Sequence, residues 1–365
     1  MIDTRGTLAV LTGGGDCPGL NAVIRAVVKT ALGCGYDIYG IENGFNGLVS
    51  DRMRLLTHKD VSGILPQGGT VLGTTNRDNP FKFAHEAKDG TITYTDERET
   101  VVRNLKRRGI EALIDIGGDG SLAIGSQLAK ECGVKVVGVP KTIDNDLPCT
   151  ERTFGFDTAM AMATEALDRI HTTAESHHRV MALEVMGRYA GWIALHSGLA
   201  GGADVILIPE IPYKMDSILE KIQSRKEQGK LFSIIVVAEG SKPVGGEMTV
   251  ARMVKGSFEP IRLGGVGEKL VREIEERTGI ESRCTVLGYL QRGGSPTAFD
   301  RVLSTRYGVA AVEACLDHDY NVMVALKGDQ IIRVPLEQAG GKTRNVPVDS
   351  ELIRAGRRIG VCFGD

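Results

Sequence analysis

Asp144 and Asp146 stand two positions apart in PKTIDND (140–146), shortly after Lys141 and Thr142. Paired carboxylates at the end of an apolar run can accept a proton and help to hold a cation. A lysine beside them can attract an anion such as phosphate. The same stretch also has the composition of an Asx turn, in which Asp and Asn cap their own backbone. Two further stretches set an aspartate among glycines: GGDGS (117–121), which carries Asp119, and TGGGDCPG (12–19), which includes Gly13 and Gly14. A glycine turn is often only a bend that needs positive φ. Two of them that carry Asp are also suited to bringing backbone close to phosphate.

Each of these stretches follows a short apolar run. TLAVL (7–11), EALIDI (111–116) and VKVVGV (134–139) have the length and composition of buried strands. After TLAVL, Pro18 suits the first turn of a helix. Leu20, Ile24, Val27, Val28 and Ala31 then fall on one helical face, and Gly33 and Gly35 close it before the strand YDIYGI. The pattern recurs as the strand EALIDI, the tight loop GGDGS, the helix LAIGSQLAKE and the strand VKVVGV. Parallel strands joined by helices give a doubly wound sheet, whose ligands bind beyond the carboxyl ends of the strands. One cleft would then hold all three loops.

A second set begins near residue 155. DTAMAMATEALDRIHTTAE, RYAGWIALHSGLA and GEKLVREIEERTG read as helices. HRVMALEV, DVILIPE, FSIIVVAEG and CTVLGYLQRGG read as strands, the last ending in another glycine turn. No low-complexity linker divides the two sets, so the halves are expected to pack together. The tail from about residue 335 is polar and belongs to no clear element.

The 365 residues carry a net charge of −2, and no basic arm or interleaved aromatic patch argues for nucleic acid. No apolar run approaches the roughly 20 residues of a membrane helix. The first residues enter a strand directly, with no signal-peptide pattern. Seven cysteines without a CxxC pair fit reduced thiols in a cytoplasmic enzyme. Neither glycine loop has GxGxxG spacing. AGGKT (339–343) lacks the earlier glycine of a Walker A loop, since Leu336 stands there.

TGGGDCPGLNAVIR, GGDGS, PKTIDNDL, EVMGRYAGW, AEG and LGYLQRGGSPTAFDR occur in this order. With these motifs the chain resembles the 6-phosphofructokinase family from about residue 7 to residue 310. The resemblance implies two Rossmann-like α/β domains with the active site in the cleft between them. Residues 1–155, with about 298–340, would bind nucleotide and Mg²⁺. Residues 156–297, with part of the C-terminal tail, would bind fructose 6-phosphate. It also implies a homo-oligomer, a tetramer or dimer, whose sugar-phosphate site is shared between subunits.

By the same resemblance, Asp144 is the general base toward the sugar 1-hydroxyl, and Asp146 is a supporting carboxylate. Asp119 accompanies Mg²⁺, and Gly14, Gly118, Gly120 and Ser121 let the phosphates of ATP approach. Thr142 hydrogen-bonds the substrate. Arg188 steadies the transferring phosphate, Met186 and Gly187 shape the sugar pocket, and Glu239 binds sugar hydroxyls. Arg179, Arg283 and Arg292 hold the 6-phosphate, whose geometry guanidinium forks match. Arg179 and Arg283 would come from the neighbouring subunit. Tyr289 stands where the family often has histidine, and it can donate a hydrogen bond without bringing charge. In QGGTVLGTTNRDNP an apparent extra residue leaves either Asn76 or Arg77 to meet the donor. His177 and His178 have no further ligands at metal spacing and read as a polar loop. Arg25, Lys29 and Lys230 could belong to an effector site or simply to charged helix surfaces.

The donor signals in this family conflict here. Gly120 stands where ATP users have Gly and pyrophosphate users Asp. Lys141 stands where most ATP users have Gly and pyrophosphate users Lys. An Asp at position 120 would obstruct the α-phosphate. A long lysine can rotate aside, so ATP is the expected donor. This pairing resembles the mixed-substrate group, in which both donor types share ancestry. The alternatives are a pyrophosphate-dependent fructose 6-phosphate phosphotransferase and an inactive paralogue that binds sugar phosphate and regulates a partner.

Overall fold

The computed structural model describes residues 5–86, 89, 91–253 and 261–365. Seven strands form the larger sheet. Across it they run Gln330–Pro335, Val322–Lys327, Val136–Pro140, Ala112–Gly117, Gly6–Thr12, Tyr36–Ile41 and Met53–Leu55. The five inner strands are parallel and the two edge strands antiparallel. Four parallel strands form the second sheet, in the order Ser282–Val286, Val180–Val185, Ser233–Ala238 and Val205–Leu207. The central strands of both sheets are buried along their whole length, as strands covered by helices on both faces must be.

The first helix, Leu20–Gly33, buries Leu20, Val23, Ile24, Val27, Val28 and Ala31, including the whole predicted face. It starts after Gly19, whose φ of 106 is left-handed, so Pro18 lies in the preceding turn rather than in the first helical turn. GGDGS is not a free loop. The helix Asp119–Cys132 already includes Asp119, Gly120 and Ser121, and an acidic residue at that end suits the helix dipole. CTVLGYLQRGG is a strand only to Val286, after which Gly288–Arg292 form a 3₁₀ turn.

The polar tail follows a hairpin of the larger sheet and returns to the edge of the smaller one. Val322–Lys327 and Gln330–Pro335 extend the larger sheet as a hairpin. Cys362 pairs with Val205 at the edge of the smaller sheet, and Phe363 is fully buried. Polar residues hide this packing because the buried side chains are few and widely spaced. No helix among the described residues is long and apolar enough to cross a membrane.

Candidate active site

The strand Gly6–Thr12 pairs with Tyr36–Ile41 on one side and with Ala112–Gly117 on the other. The chain order therefore reverses beside it, which opens a crevice at the carboxyl ends of these strands. The first glycine loop and GGDGS both leave from this point. The Gly13 N–H donates to Ile116 O at 3.0 Å, and the Lys141 N–H donates to Gly117 O at 3.0 Å. A third segment closes on the first loop: the Gly14 N–H donates to Thr75 O, and Thr74 Oγ1 donates to Gly14 O at 2.6 Å. Asn21 anchors that segment through Gln67 O, Gly68 O and the Val71 N–H. Arg77 is exposed two residues beyond Thr75, and Asn76 is exposed beside it.

The helix Asp119–Cys132 begins at Gly118 with no side-chain cap, so its first N–H groups face the crevice mouth as an anion cradle. Asp119 is exposed there. Ser121 points the other way: its hydroxyl donates to buried Asp115 at 2.7 Å. Behind it, a Cβ at Gly13 would lie 2.2 Å from Ser121 Oγ. Ser121 can therefore offer its backbone to a phosphate, while its hydroxyl is committed to the core.

Lys141 is not the mobile side chain expected from the sequence. It is only 4% exposed, and its Nζ donates to Gly15 O at 2.7 Å. A Cβ at Gly14 would approach that Nζ to 3.3 Å, so the lysine is wedged against the first glycine loop. Burial lowers its pKa, while Asp119 and Asp146 favour its charged form. Cys17 lies close by. Burial pushes its thiol up to about 12, which keeps it neutral.

The TIDND loop is held by its own side chains. Thr142 Oγ1 accepts from the Asp144 N–H at 3.0 Å. Asn145 has a left-handed φ of 52, and its Oδ1 accepts from the Thr153 N–H. Burial pushes the Asp146 carboxyl up to about 7, and the charges of Asp144 and Asp119 add to the effect. Three carboxylates thus crowd one region, an arrangement that a divalent cation would relieve. Among the described residues no group of three or more His, Cys, Asp or Glu side chains is arranged to hold a metal ion by itself. An open carboxylate site of this kind fits Mg²⁺, which keeps waters and substrate oxygens as most of its ligands.

The second sheet supplies the facing wall. The Glu239 N–H donates to Val185 O, and the Gly240 N–H donates to Gly187 O. Gly187 has φ 136, and a Cβ at Gly240 would fall 1.9 Å from Arg188 O, so these two loops pack backbone to backbone. Buried Gln291 accepts from the Met186 N–H at 3.2 Å and ties the 3₁₀ turn to the same wall. Arg292 crosses to the first glycine loop, where Nη1 donates to Asp16 O at 3.2 Å. A Cβ at Gly15 would sit 2.6 Å from that nitrogen. Burial pushes Glu239 up to about 7, with Asp144 and Glu184 raising it and Arg292 and Arg188 opposing them. Asp144, Arg188, Glu239 and Arg292 therefore share one electrostatic neighbourhood.

Three predicted residues lie elsewhere in the chain. Arg179 precedes the strand Val180–Val185 and pairs with Glu281 at 2.8 Å. Arg283 is the second residue of the neighbouring strand and pairs with Glu275 and Glu281. Both sit at the amino ends of these strands, opposite the Glu239 wall. Tyr289 is 66% exposed on the 3₁₀ turn. Sequence reasoning missed Asn21, Thr74, Gln291 and Arg344. The first three lie within or beside the quoted motifs, but no local pattern marks Arg344.

The family model for phosphofructokinase matches residues 7–315. The chain is 53% identical over 360 residues to the ATP-dependent 6-phosphofructokinase 2 of Clostridium perfringens, covering 98% of each chain. It is 52% identical over 343 residues to the pyrophosphate–fructose 6-phosphate 1-phosphotransferase of Amycolatopsis mediterranei, covering 94% of this chain and 96% of that one. Among solved structures, the T-state phosphofructokinase of Pichia pastoris superposes with a TM-score of 0.79 at 32% identity. That match covers 93% of this chain and 36% of the longer Pichia chain.

Proposed function

This chain belongs to the phosphofructokinase family, and we propose that it transfers the γ-phosphoryl group of ATP to the 1-hydroxyl of fructose 6-phosphate. The observation that carries this reading is the meeting of Asp119, Asp144 and Asp146 with Lys141 and Arg292 at the strand carboxyl ends. Phosphoryl transfer needs mainly positioning and compensation of phosphate charge. Asp144 accepts the proton of the attacking hydroxyl. The open N-terminus of the Asp119–Cys132 helix and Lys141 receive donor phosphates, and Arg188 steadies the group in flight. Glu239, Met186 and Gly187 hold the sugar, and Arg292 serves its phosphate. Mg²⁺ would be held beside Asp119, with Asp146 nearby, and would neutralise charge on the donor phosphates.

Residues 1–155 with about 298–340 form the donor domain in this reading. Residues 156–297 with part of the tail form the sugar domain. Arg179 and Arg283 then serve a neighbouring subunit's site, which makes the working enzyme a homo-oligomer in the cytoplasm. Gly120 favours ATP, since the second residue of the helix adds no side chain beside Asp119. Pyrophosphate remains the second reading, because Lys141 is fixed at the loop mouth and cannot rotate aside. Relatives of nearly equal identity are named for each donor.

Initial rates with fructose 6-phosphate, Mg²⁺ and either donor test both readings. Turnover with ATP alone supports Gly120 as the determinant, and turnover with pyrophosphate alone makes Lys141 decisive. Asp144→Asn should lower kcat by about 10²- to 10⁴-fold, the usual worth of a general base, with sugar binding kept. A fully active variant removes Asp144 from that role. No turnover by wild type with either donor favours the inactive paralogue.

A further inference from the structure

The tail residue Arg344 touches both walls of the cleft, although it lies beyond residues 7–315, where the family model matches. Its guanidinium donates to Asn145 O at 2.8 and 3.2 Å and to Glu151 O at 3.3 Å. Its backbone N–H donates to Asp146 O at 2.6 Å. On the other side, the guanidinium carbon lies 4.5 Å from the centre of the Trp192 ring, and Trp192 Nε1 donates to Arg344 O at 2.9 Å. The next two residues continue the attachment. Asn345 Nδ2 donates to Tyr189 O, and the Val346 N–H donates to Glu210, which also accepts from the Gly191 N–H.

We propose that Arg344 is a positioning residue for phosphoryl transfer, clasping the loop that carries Asp144 to the loop that follows Arg188. This rests on the phosphofructokinase reading of the site. The general base and the arginine that steadies phosphate come from different sheets, so their separation is set by whatever joins these two loops. Asn145 occupies a left-handed conformation between the two aspartates, and its carbonyl receives two of the guanidinium N–H groups. A planar fork that also stacks on an indole cannot be copied by an ammonium group. Misplacing reacting groups by about 1 Å can cost on the order of 100-fold in rate.

Trp192 is the only tryptophan of the chain, so its fluorescence reports the clasp directly. The test compares wild type with Arg344→Ala and Arg344→Lys in the full-length protein. We expect kcat to fall by about tenfold to 100-fold in Arg344→Ala. The KM values for sugar phosphate and nucleotide should stay within about threefold, because no substrate contact is removed. Amide exchange across residues 143–146 should quicken by about tenfold, and acrylamide should quench Trp192 more strongly. Arg344→Lys should retain the fold and recover only part of kcat. Free guanidinium at millimolar concentration should raise kcat of Arg344→Ala and leave wild type unchanged.

The proposal is overturned if kcat stays within about twofold of wild type. It is also overturned if Arg344→Ala only lowers thermal stability while loop exchange and kcat per folded molecule stay unchanged, since Arg344 would then be a structural staple. Should Arg344→Ala fail to fold, Arg344→Lys carries the same measurements, and Trp192→Phe carries the rate and amide-exchange measurements. If wild type turns over neither donor, the phosphofructokinase reading fails by itself. Exchange and quenching still decide whether the clasp holds the loop.

Discussion

Replacing Glu239 by Gln should uncouple the stability of the ligand-free protein from pH at the sugar wall. Folding buries this carboxyl between Asp144 and Glu184, and its pKa rises from 4.5 to about 7 despite Arg292 and Arg188. Protonation therefore favours the folded state. The wild type loses stability as pH rises from the unfolded carboxyl's range through about 7, whereas Gln has no proton to lose. A rise of about 2.5 pKa units corresponds to a limit of about 3.4 kcal/mol. Between pH 5 and pH 8 the difference between variant and wild type should grow by up to about 2.5 kcal/mol, an upper value because the carboxyl retains some solvent contact. Thermal unfolding of both proteins at pH 5, 6.5 and 8, without ligands, reads this as a gap in Tm of several degrees that widens toward alkaline pH. Titrating groups outside this cluster cancel in the comparison, whereas Asp144 and Glu184 are coupled to Glu239 and titrate with it. At saturating nucleotide, the variant should also show a raised KM for fructose 6-phosphate. A Tm gap that is constant across the three pH values would refute the buried-carboxyl reasoning. An unchanged KM would remove Glu239 from the sugar site.

Two further substitutions probe the donor and the assembly. Gly120→Asp places a second carboxylate beside Asp119, and kcat/KM for ATP should fall by about 100-fold or more, an effect larger than for pyrophosphate. Initial rates with both donors check this, and ATP efficiency within about threefold of wild type would overturn Gly120 as the determinant. Arg283→Ala should raise the KM for fructose 6-phosphate by about tenfold, although Arg283 lies about 10 Å along its strand from the carboxyl end that faces its own chain's cleft. Mixing Arg283→Ala with Asp144→Asn subunits should recover activity in hybrids, because some sites then combine an intact Arg283 with an intact Asp144. No recovery after verified subunit exchange would argue for sites built within one chain.

Periodicity and apolar runs placed most of the strands and helices that carry chemistry, although they read GGDGS as a loop and Gly288–Arg292 as strand. Buried parallel strands are near-continuous apolar runs, so TLAVL, EALIDI and VKVVGV stand out, and the glycines after them mark where backbone must turn sharply. The ordered motifs named the family, and the carboxylates Asp119, Asp144 and Asp146 were legible as a set before any coordinates. Local patterns could not say what a long side chain does once folded. Lys141 looked free to swing, yet it is buried against Gly15 O, because the first glycine loop closes over it from 126 residues away in sequence. Nor could local patterns say that the Ser121 hydroxyl is spent on Asp115, or that Thr142 Oγ1 receives the Asp144 N–H. The polar tail carried no signal because its attachment consists of single residues, Arg344, Val346 and Phe363, each meeting partners far back in the chain. Strand order across the sheet, the reversal beside Gly6–Thr12 and the meeting of the two walls come from long-range packing, which no window of sequence contains.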